Sequence, residues 1–363
     1  MSNLNSLKKK GKKFKRKISS REVKDSSFEK ILPFSTDFGL RERYVNFFDG
    51  LRLGKILEDL DSVAGIVAYK HTEGWEKGLT IVTAACDRID FLDELDSKSD
   101  LKILASVNWV GRSSIEVGIK VSSRNGKFWK RVARAYFIMV ARLRGKSEPV
   151  NRIKMKKKDE HRRFREGEQR QRERRIIAKT SYLIQTPTDE ESRLLHDLFL
   201  KVRNNEILGI SMNDFSRQST LIMHPQSRNV HNKIFGGFLM REAYELAWNI
   251  TYLYCKKMPT FLSMDHMYFL KPVEIGSIVS IKGTIIFTKE NKLMVEVVNE
   301  VINPQSGEKK TTNVCYFTFE IIDISGKAKK VTSILPYTYE EGLKYLDGAK
   351  RFKLGDFKRK NLA

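Results

Sequence analysis

Two adjacent glycines, Gly236 and Gly237, open an amphipathic helix within the stretch SRNVHNKIFGGFLMREAYELAWNITY, residues 227–252. Leu239, Ala243, Leu246, Ala247 and Ile250 recur at the 3.6-residue period and lay one apolar stripe along that helix. Backbone N–H groups at such a helix start have no intrahelical acceptor and stand at the positive end of the dipole. Two residues without Cβ let a ligand approach them. The chemistry this suits is stabilisation of an oxygen that gains negative charge. Asn229, seven residues before Gly236, carries an amide that can either close a turn or orient a reacting group.

The elements that would position these residues occur twice. Lys55-Ile56-Leu57 matches Lys233-Ile234-Phe235, and at the same offset of 178 residues Asp87 falls on Asp265, Phe91 on Phe269 and Val117 on Val295. At Tyr136-Phe137 and Tyr316-Phe317 the offset becomes 180, which places a two-residue insertion in the turn 303–307. The chain therefore reads as two copies of one fold. In this register Asp61 falls on Leu239, a core-facing position, and a carboxylate there must be either satisfied or useful. Leu51, Glu58 and Asp59 fall on Asn229, Gly236 and Gly237, so the first copy has neither the amide nor the glycine pair.

Each copy predicts one helix followed by antiparallel strands, an α+β layer. Strands are expected at residues 80–86, 101–110, 115–122 and 135–141, then at 219–223, 261–269, 279–287, 293–302 and 313–322. Ala64, Gly65 and Ala68 share a face of the first helix and predict a close helix contact there. The chain divides into a basic disordered or targeting tail at 1–40, a first unit at 41–145 and a charged helical linker at 146–215. A second unit at 216–325 and a basic tail at 326–363 complete it.

The formal charge of +24 would suit nucleic acid, but its location argues otherwise. Residues 1–21 hold nine Lys or Arg and no acid, and the linker and the last fifteen residues hold most of the rest. The folded copies are close to neutral and lack an aromatic and basic surface for nucleic acid. No apolar run approaches the roughly 20 residues of a membrane span. Cys86, Cys255 and Cys315 form no C-x-x-C pair, and His71 and His266 have no metal-ligand spacing, so no metal is expected.

Three stretches, HPQSRNVHNKIFGGFLMREAYELAW, LEDLDSVAGIVAYKH and WVGRSSIEV, resemble in order the acyl-coenzyme A thioesterases that carry two hotdog domains per chain. Within that family the likeness is to the mitochondrial, thioesterase-nine-type branch, over residues 31–352. The resemblance implies a tandem hotdog, each unit a long helix wrapped by an antiparallel sheet. It also implies hydrolysis of acyl-coenzyme A to free acid and coenzyme A, without metal or other cofactor. By the family's motif, Asn229, Gly236 and Gly237 of one unit would meet Asp61 of the other, with Asp61 activating water or attacking the carbonyl directly. Arg112, Ser113 and Ser114 match a segment that contacts coenzyme A, and the same residues read equally as a hairpin turn with an exposed Arg. Asn232 departs from the common N-x-x-G-x-x-x-G-G spacing. The resemblance further implies a homo-oligomer, a trimer of chains, and a mitochondrial location. The Lys-rich amino terminus also suits nuclear import or a solvated cytoplasmic tail. A hotdog protein that binds acyl-coenzyme A as sensor or scaffold is the alternative.

Overall fold

The computed structural model describes residues 18–179, 186–229, 233–323 and 325–360; the Lys-rich block before residue 18 and Asn232 lie outside them. The first copy comprises β1 (Phe28–Leu32), α1 (Leu53–Thr72), β2 (Thr80–Phe91), β3 (Leu101–Val110), β4 (Ser114–Asn125) and β5 (Phe128–Leu143). Two helices, α2 (Lys158–Lys179) and α3 (Asp189–Arg203), lead to the second copy. That copy comprises β6 (Ser216–Ile222), α4 (Gly236–Cys255), β7 (Pro259–Phe269), β8 (Ile278–Lys289), β9 (Lys292–Ile302) and β10 (Lys309–Ile321), followed by α5 (Tyr339–Lys360).

All these strands join one antiparallel sheet, ordered β6-β8-β9-β10-β7-β2-β5-β4-β3-β1. The halves meet at β2 and β7, where Arg88 faces Asp265 and Cys86 faces Met267. Because Asp265 is also the counterpart of Asp87, this pairing is what a pseudo-twofold axis between the copies requires. On one face of the sheet lie α1 and α4. Ile56, Leu60, Val63, Ala64 and Val67 of α1 are buried against it, as are Met240, Ala243, Ala247 and Ile250 of α4. Each such Leu, Ile or Val side chain contributes about 1.5–3 kcal/mol by leaving water. Each half is a long helix wrapped by an antiparallel sheet, the hotdog arrangement, and the chain is an α+β tandem of two.

Strands β2–β4 and β7–β9 keep the offset of 178, but the helices do not. Both helices are twenty residues long and start at Leu53 and Gly236, an offset of 183. The loops before them agree: Asn46 N–H donates to Gly50 O just as Asn229 N–H donates to Lys233 O. The bridges Val45↔Leu51 and Arg228↔Ile234 repeat the same step. The first copy absorbs the difference after its helix, where the connection runs from Glu73 to Leu79 against Lys256 to Met258 in the second. The Lys-Ile match at residues 55 and 233 is therefore coincidental. The counterparts of Asn229, Gly236, Gly237 and Asp61 are Asn46, Leu53, Gly54 and Tyr244, in place of Leu51, Glu58, Asp59 and Leu239.

Three further expectations change. The close helix contact is not at Gly65, whose missing side chain faces open space. It lies where a Cβ on Gly54 would come within 2.9 Å of Arg241 Cγ, and one on Gly237 within 3.0 Å of Glu58 Cα. The stretch assigned to an N-terminal tail supplies β1, which edges the sheet with Phe28 opposite Ala105. The charged linker and the basic C-terminal stretch form α2 and α5, which cover the sheet's other face. A Cβ on Gly167 would lie 2.7 Å from Trp109 Cβ, and the rings of Tyr345 and Phe352 stand 5.2 and 5.3 Å from that of Phe287. Arg170 of α2 pairs with buried Glu116 at 2.6 Å, and Arg174 pairs with buried Asp87. Much of the linker's charge thus neutralises acids beneath it. Burial still raises the Asp87 pKa to about 7, with Arg174 opposing the rise.

Candidate active site

Asp61 sits midway along α1 and is buried, 1% exposed, at the place where α1 crosses the start of α4. Its Oδ1 accepts a hydrogen bond of 2.7 Å from the Thr83 hydroxyl on β2. Thr83 stands at a β-bulge, where the pairing of β2 with β5 shifts between Thr83 and Ala85. A bulge turns one side chain out of the strand's alternation. Oδ2 of Asp61 is buried and without a hydrogen-bond partner among the described residues.

The glycine pair stands at that free oxygen. A Cβ on Gly236 would lie 3.1 Å from Asp61 Oδ2 and 3.2 Å from the Phe269 ring. Alanine would fill the space between carboxylate and helix start. The carbonyl of Phe235 serves the N–H groups of Phe238 and Leu239, as the first acceptor of a helix does. Gly236, half-buried, and Gly237, buried, are left without an intrahelical acceptor at the positive end of the dipole. Burial raises the Asp61 pKa from 3.8 to about 6; the Thr83 hydroxyl and the nearby Gly237 amide hold it down in part, and Glu58 pushes it up. The Gly237 N–H thus faces the carboxyl without closing a hydrogen bond on Oδ2. Near neutral pH the group is an ionised, poorly solvated carboxylate beside the helix-start amides, of which Gly237 N–H interacts with it. It can accept a proton or attack an electrophile while the amides receive an oxyanion.

The structure thus brings Asp61 of the first copy to Gly236 and Gly237 of the second, and adds Thr83. Sequence reasoning passed over Thr83, although the 178 register places it on Phe261, a polar residue where the other copy is aromatic. The Asn229 carbonyl oxygen accepts 3.2 Å from Lys233 N–H, closing its own loop as Asn46 does with Gly50 N–H at 3.0 Å. Arg112, Ser113 and Ser114 form the turn from β3 to β4, with Gly111 N–H donating to Ser114 O at 2.8 Å, and Arg112 is exposed. Ser114 pairs with Val140 and Val140 with Val82, so the turn lies level with Thr83, two strand spacings or roughly 10 Å away. His71 is fully buried, with Nε2 3.0 Å from Asn151 O, and burial lowers its pKa. It fastens the end of α1 and does not face solvent.

At the pseudo-symmetric position Tyr244 replaces Asp61 and stacks edge-on with Phe261 at 5.0 Å, where Asp61 meets Thr83. Phe317 and Phe319 close around the pair. Leu53 stands in place of Gly236. The backbone of a second site is present, and its carboxylate is not.

A sequence profile of the Thioesterase superfamily matches residues 54–129. The "Acyl-coenzyme A thioesterase 9, mitochondrial" of Mus musculus is 38% identical over 352 residues, covering 92% of this chain and 78% of that protein. The Homo sapiens protein of the same name is 36% identical over 348 residues, with the same two coverages of 92% and 78%. The "Acyl-coenzyme A thioesterase 4, mitochondrial" of Humulus lupulus is 33% identical over 337 residues, 86% of this chain and 63% of that protein. Among solved structures, an acyl-CoA hydrolase from Bacillus cereus aligns with TM-score 0.41 and 25% identity over 42% of this chain and 94% of its own. Two hotdog copies that pool an aspartate and a glycine pair, matched at such identity over nearly the whole length, place this chain in the acyl-coenzyme A thioesterase family.

Proposed function

We propose that the protein hydrolyses acyl-coenzyme A to free acid and coenzyme A at one composite site per chain. The observation that carries this reading is the convergence of the ionised Asp61 on the helix-start glycines Gly236 and Gly237. The thioester carbonyl oxygen takes the two N–H donors, which stabilise it as the carbon becomes tetrahedral. Asp61 then removes a proton from water as the hydroxyl adds to that carbon, and the C–S bond breaks to release the thiolate. Direct attack by Asp61 would form an anhydride that water opens, with the same products. Single-turnover hydrolysis in oxygen-18 water separates the two. Label in Asp61 indicates an anhydride opened at the aspartyl carbonyl, and label in the acid alone fits water attack or an anhydride opened at the acyl carbonyl.

In this reading Asn229 orients water or carbonyl from the loop before α4, and Arg112, Ser113 and Ser114 contact the coenzyme A moiety from their turn. The two hotdog units run from β1 at residue 28 to residue 145 and over residues 216–325. Three chains assemble in this reading, and the protein works in mitochondria, the location that the names of the relatives above print. No helix among the described residues is long and apolar enough to cross a membrane.

The test is release of free thiol from short- and long-chain acyl-coenzyme A. Release at a rate well above the uncatalysed reaction supports hydrolysis. Tight binding without release would replace this reading with that of a sensor or scaffold.

A further inference from the structure

Beyond the Asp61 site, a concentration of positive charge surrounds a cavity of about 200 Å³ between α2 and the sheet face it covers. Lys120, Arg131, Arg134, Arg162 and Arg163 line it, and Glu166 is the one acid among its lining residues. The strands fix this crowding. Lys120 on β4 is the cross-strand partner of Arg134 on β5, and like charges directly opposed destabilise a sheet. From above, α2 sets Arg162 and Arg163 toward the same space, with Arg163 Nη1 2.6 Å from the Ser106 hydroxyl on β3. Between them Gly118 leaves the floor open. A Cβ there would strike the Asn108 amide at 2.2 Å, so Gly118 and Asn108 together form a polar base.

Some of this charge is already met. Asp159 holds Arg162 and also Arg163, the latter at 3.1 Å, and Asp90 holds Arg134 at 3.3 Å. Lys120 and Arg131 have no ion pair among the described residues. A sequence that only needed to cover a sheet would not converge five cations on one void, because repulsion and desolvation both oppose it.

We propose that this cavity binds a diphosphate group, free or carried by a nucleotide. Guanidinium forks from two directions match the paired oxygens of phosphate, and an anion of several charges relieves the repulsion between Lys120 and Arg134. At about 200 Å³ the space is smaller than the roughly 300 Å³ at which sites for whole drug-sized ligands begin. The phosphates enter, and any nucleoside remains at the mouth. The site lies on the opposite face of the sheet from Asp61, so its occupant is not the reacting substrate.

Isothermal titration of the full chain with inorganic pyrophosphate, and separately with ATP, tests this. Saturable binding is expected for pyrophosphate, weakening with salt. The double variant Lys120→Ala/Arg131→Ala, whose side chains are exposed and make no ion pair, is expected to bind at least about tenfold more weakly. ATP binding more tightly than pyrophosphate identifies a nucleotide as the source, and equal binding identifies the free anion. Lys327→Ala/Lys329→Ala removes the same charge from an exposed turn of the second copy and should change nothing. Absence of saturable binding for both probes, or equal weakening by the two double variants, overturns the proposal.

Discussion

Replacing Asp61 with Asn removes the charge while keeping the shape, since the amide oxygen still accepts from Thr83. In the wild type the pKa of Asp61 is 3.8 in its ordinary setting and about 6 in the fold. A carboxyl that holds its proton more tightly folded than unfolded costs stability once ionised. That cost appears as pH rises through the window between the two values and vanishes below both. Linkage puts it at about 3 kcal/mol near pH 7.5 and about 1.5 kcal/mol near pH 5. Asn escapes this cost but sets an N–H₂ group where Oδ2 stands, facing the Gly237 amide, and a buried donor without an acceptor costs about 1–2 kcal/mol. The variant should therefore be more stable than wild type by about 1–2 kcal/mol near pH 7.5 and equal to it near pH 5. The same substitution should lower kcat by on the order of 100-fold or more, because the base or nucleophile is gone and no second carboxylate stands at the pseudo-site. Urea unfolding of both proteins at the two pH values, with thiol release from acyl-coenzyme A, measures all three quantities. A variant destabilised equally at both pH values would show that Asp61 is not a strained buried charge. A folded variant retaining about half the activity would mean two working sites.

Thr83→Val removes a hydrogen bond that favours the ionised carboxylate, so the Asp61 pKa should climb further. The acid limb of kcat/KM should then move up by about one pH unit, and an unmoved limb would deny Thr83 that role. Asn229→Ala and Asn46→Ala break the same turn in the two copies. Both should lower the urea midpoint similarly, but only Asn229→Ala should reduce kcat; equal rates in the two would leave Asn229 a turn residue alone. Arg174→Met takes its guanidinium from Asp87 and from Glu116, 3.7 Å away, and should lower stability in urea, with part of the loss restored by Asp87→Asn in the same chain. No restoration would mean that Arg174 acts through packing.

What could be read from the sequence was local chemistry; what misled was register. The glycine pair announces a helix start by itself, and Asp61 stands out as a carboxylate within an apolar helix face. Strand positions followed from β-branched alternation, and the 178 offset holds through β2 and β7 because the strands must pair across the pseudo-twofold. The helix offset failed because a three-residue likeness, Lys-Ile-Leu to Lys-Ile-Phe, outweighed a better signal. Asn46 stands eight residues before Gly54 as Asn229 does before Gly237, and only hydrogen bonds reveal that this pair is equivalent. What the linker and C-terminal helices pack against was not legible because their partners are distant in sequence. Glu116 and Asp87, which neutralise Arg170 and Arg174, lie on strands more than fifty residues earlier. Charge counted by segment cannot see pairing between segments.

The corrected register changes the reason for expecting one site per chain. With Leu51 and Glu58 as counterparts, the second site would have lost its loop and helix start altogether. The structure instead retains the Asn46 turn, the glycine at position 54 and the helix that follows, and replaces the reactive side chains on that backbone. Tyr244 and Phe261 occupy the places of Asp61 and Thr83, and burial pushes the Tyr244 hydroxyl pKa well above its usual range, so it offers no base. An edge-on aromatic pair adds about 0.5–1.5 kcal/mol beyond its burial, whereas the ionised Asp61 costs about 3 kcal/mol. Copies that began equivalent would each have carried that cost. On the proposed assignment one copy of the site bears the cost for chemistry, and the other fills the same space with side chains that stabilise the joint between the two halves, where Phe91 of β2 stands 5.2 Å from Phe261 of β7.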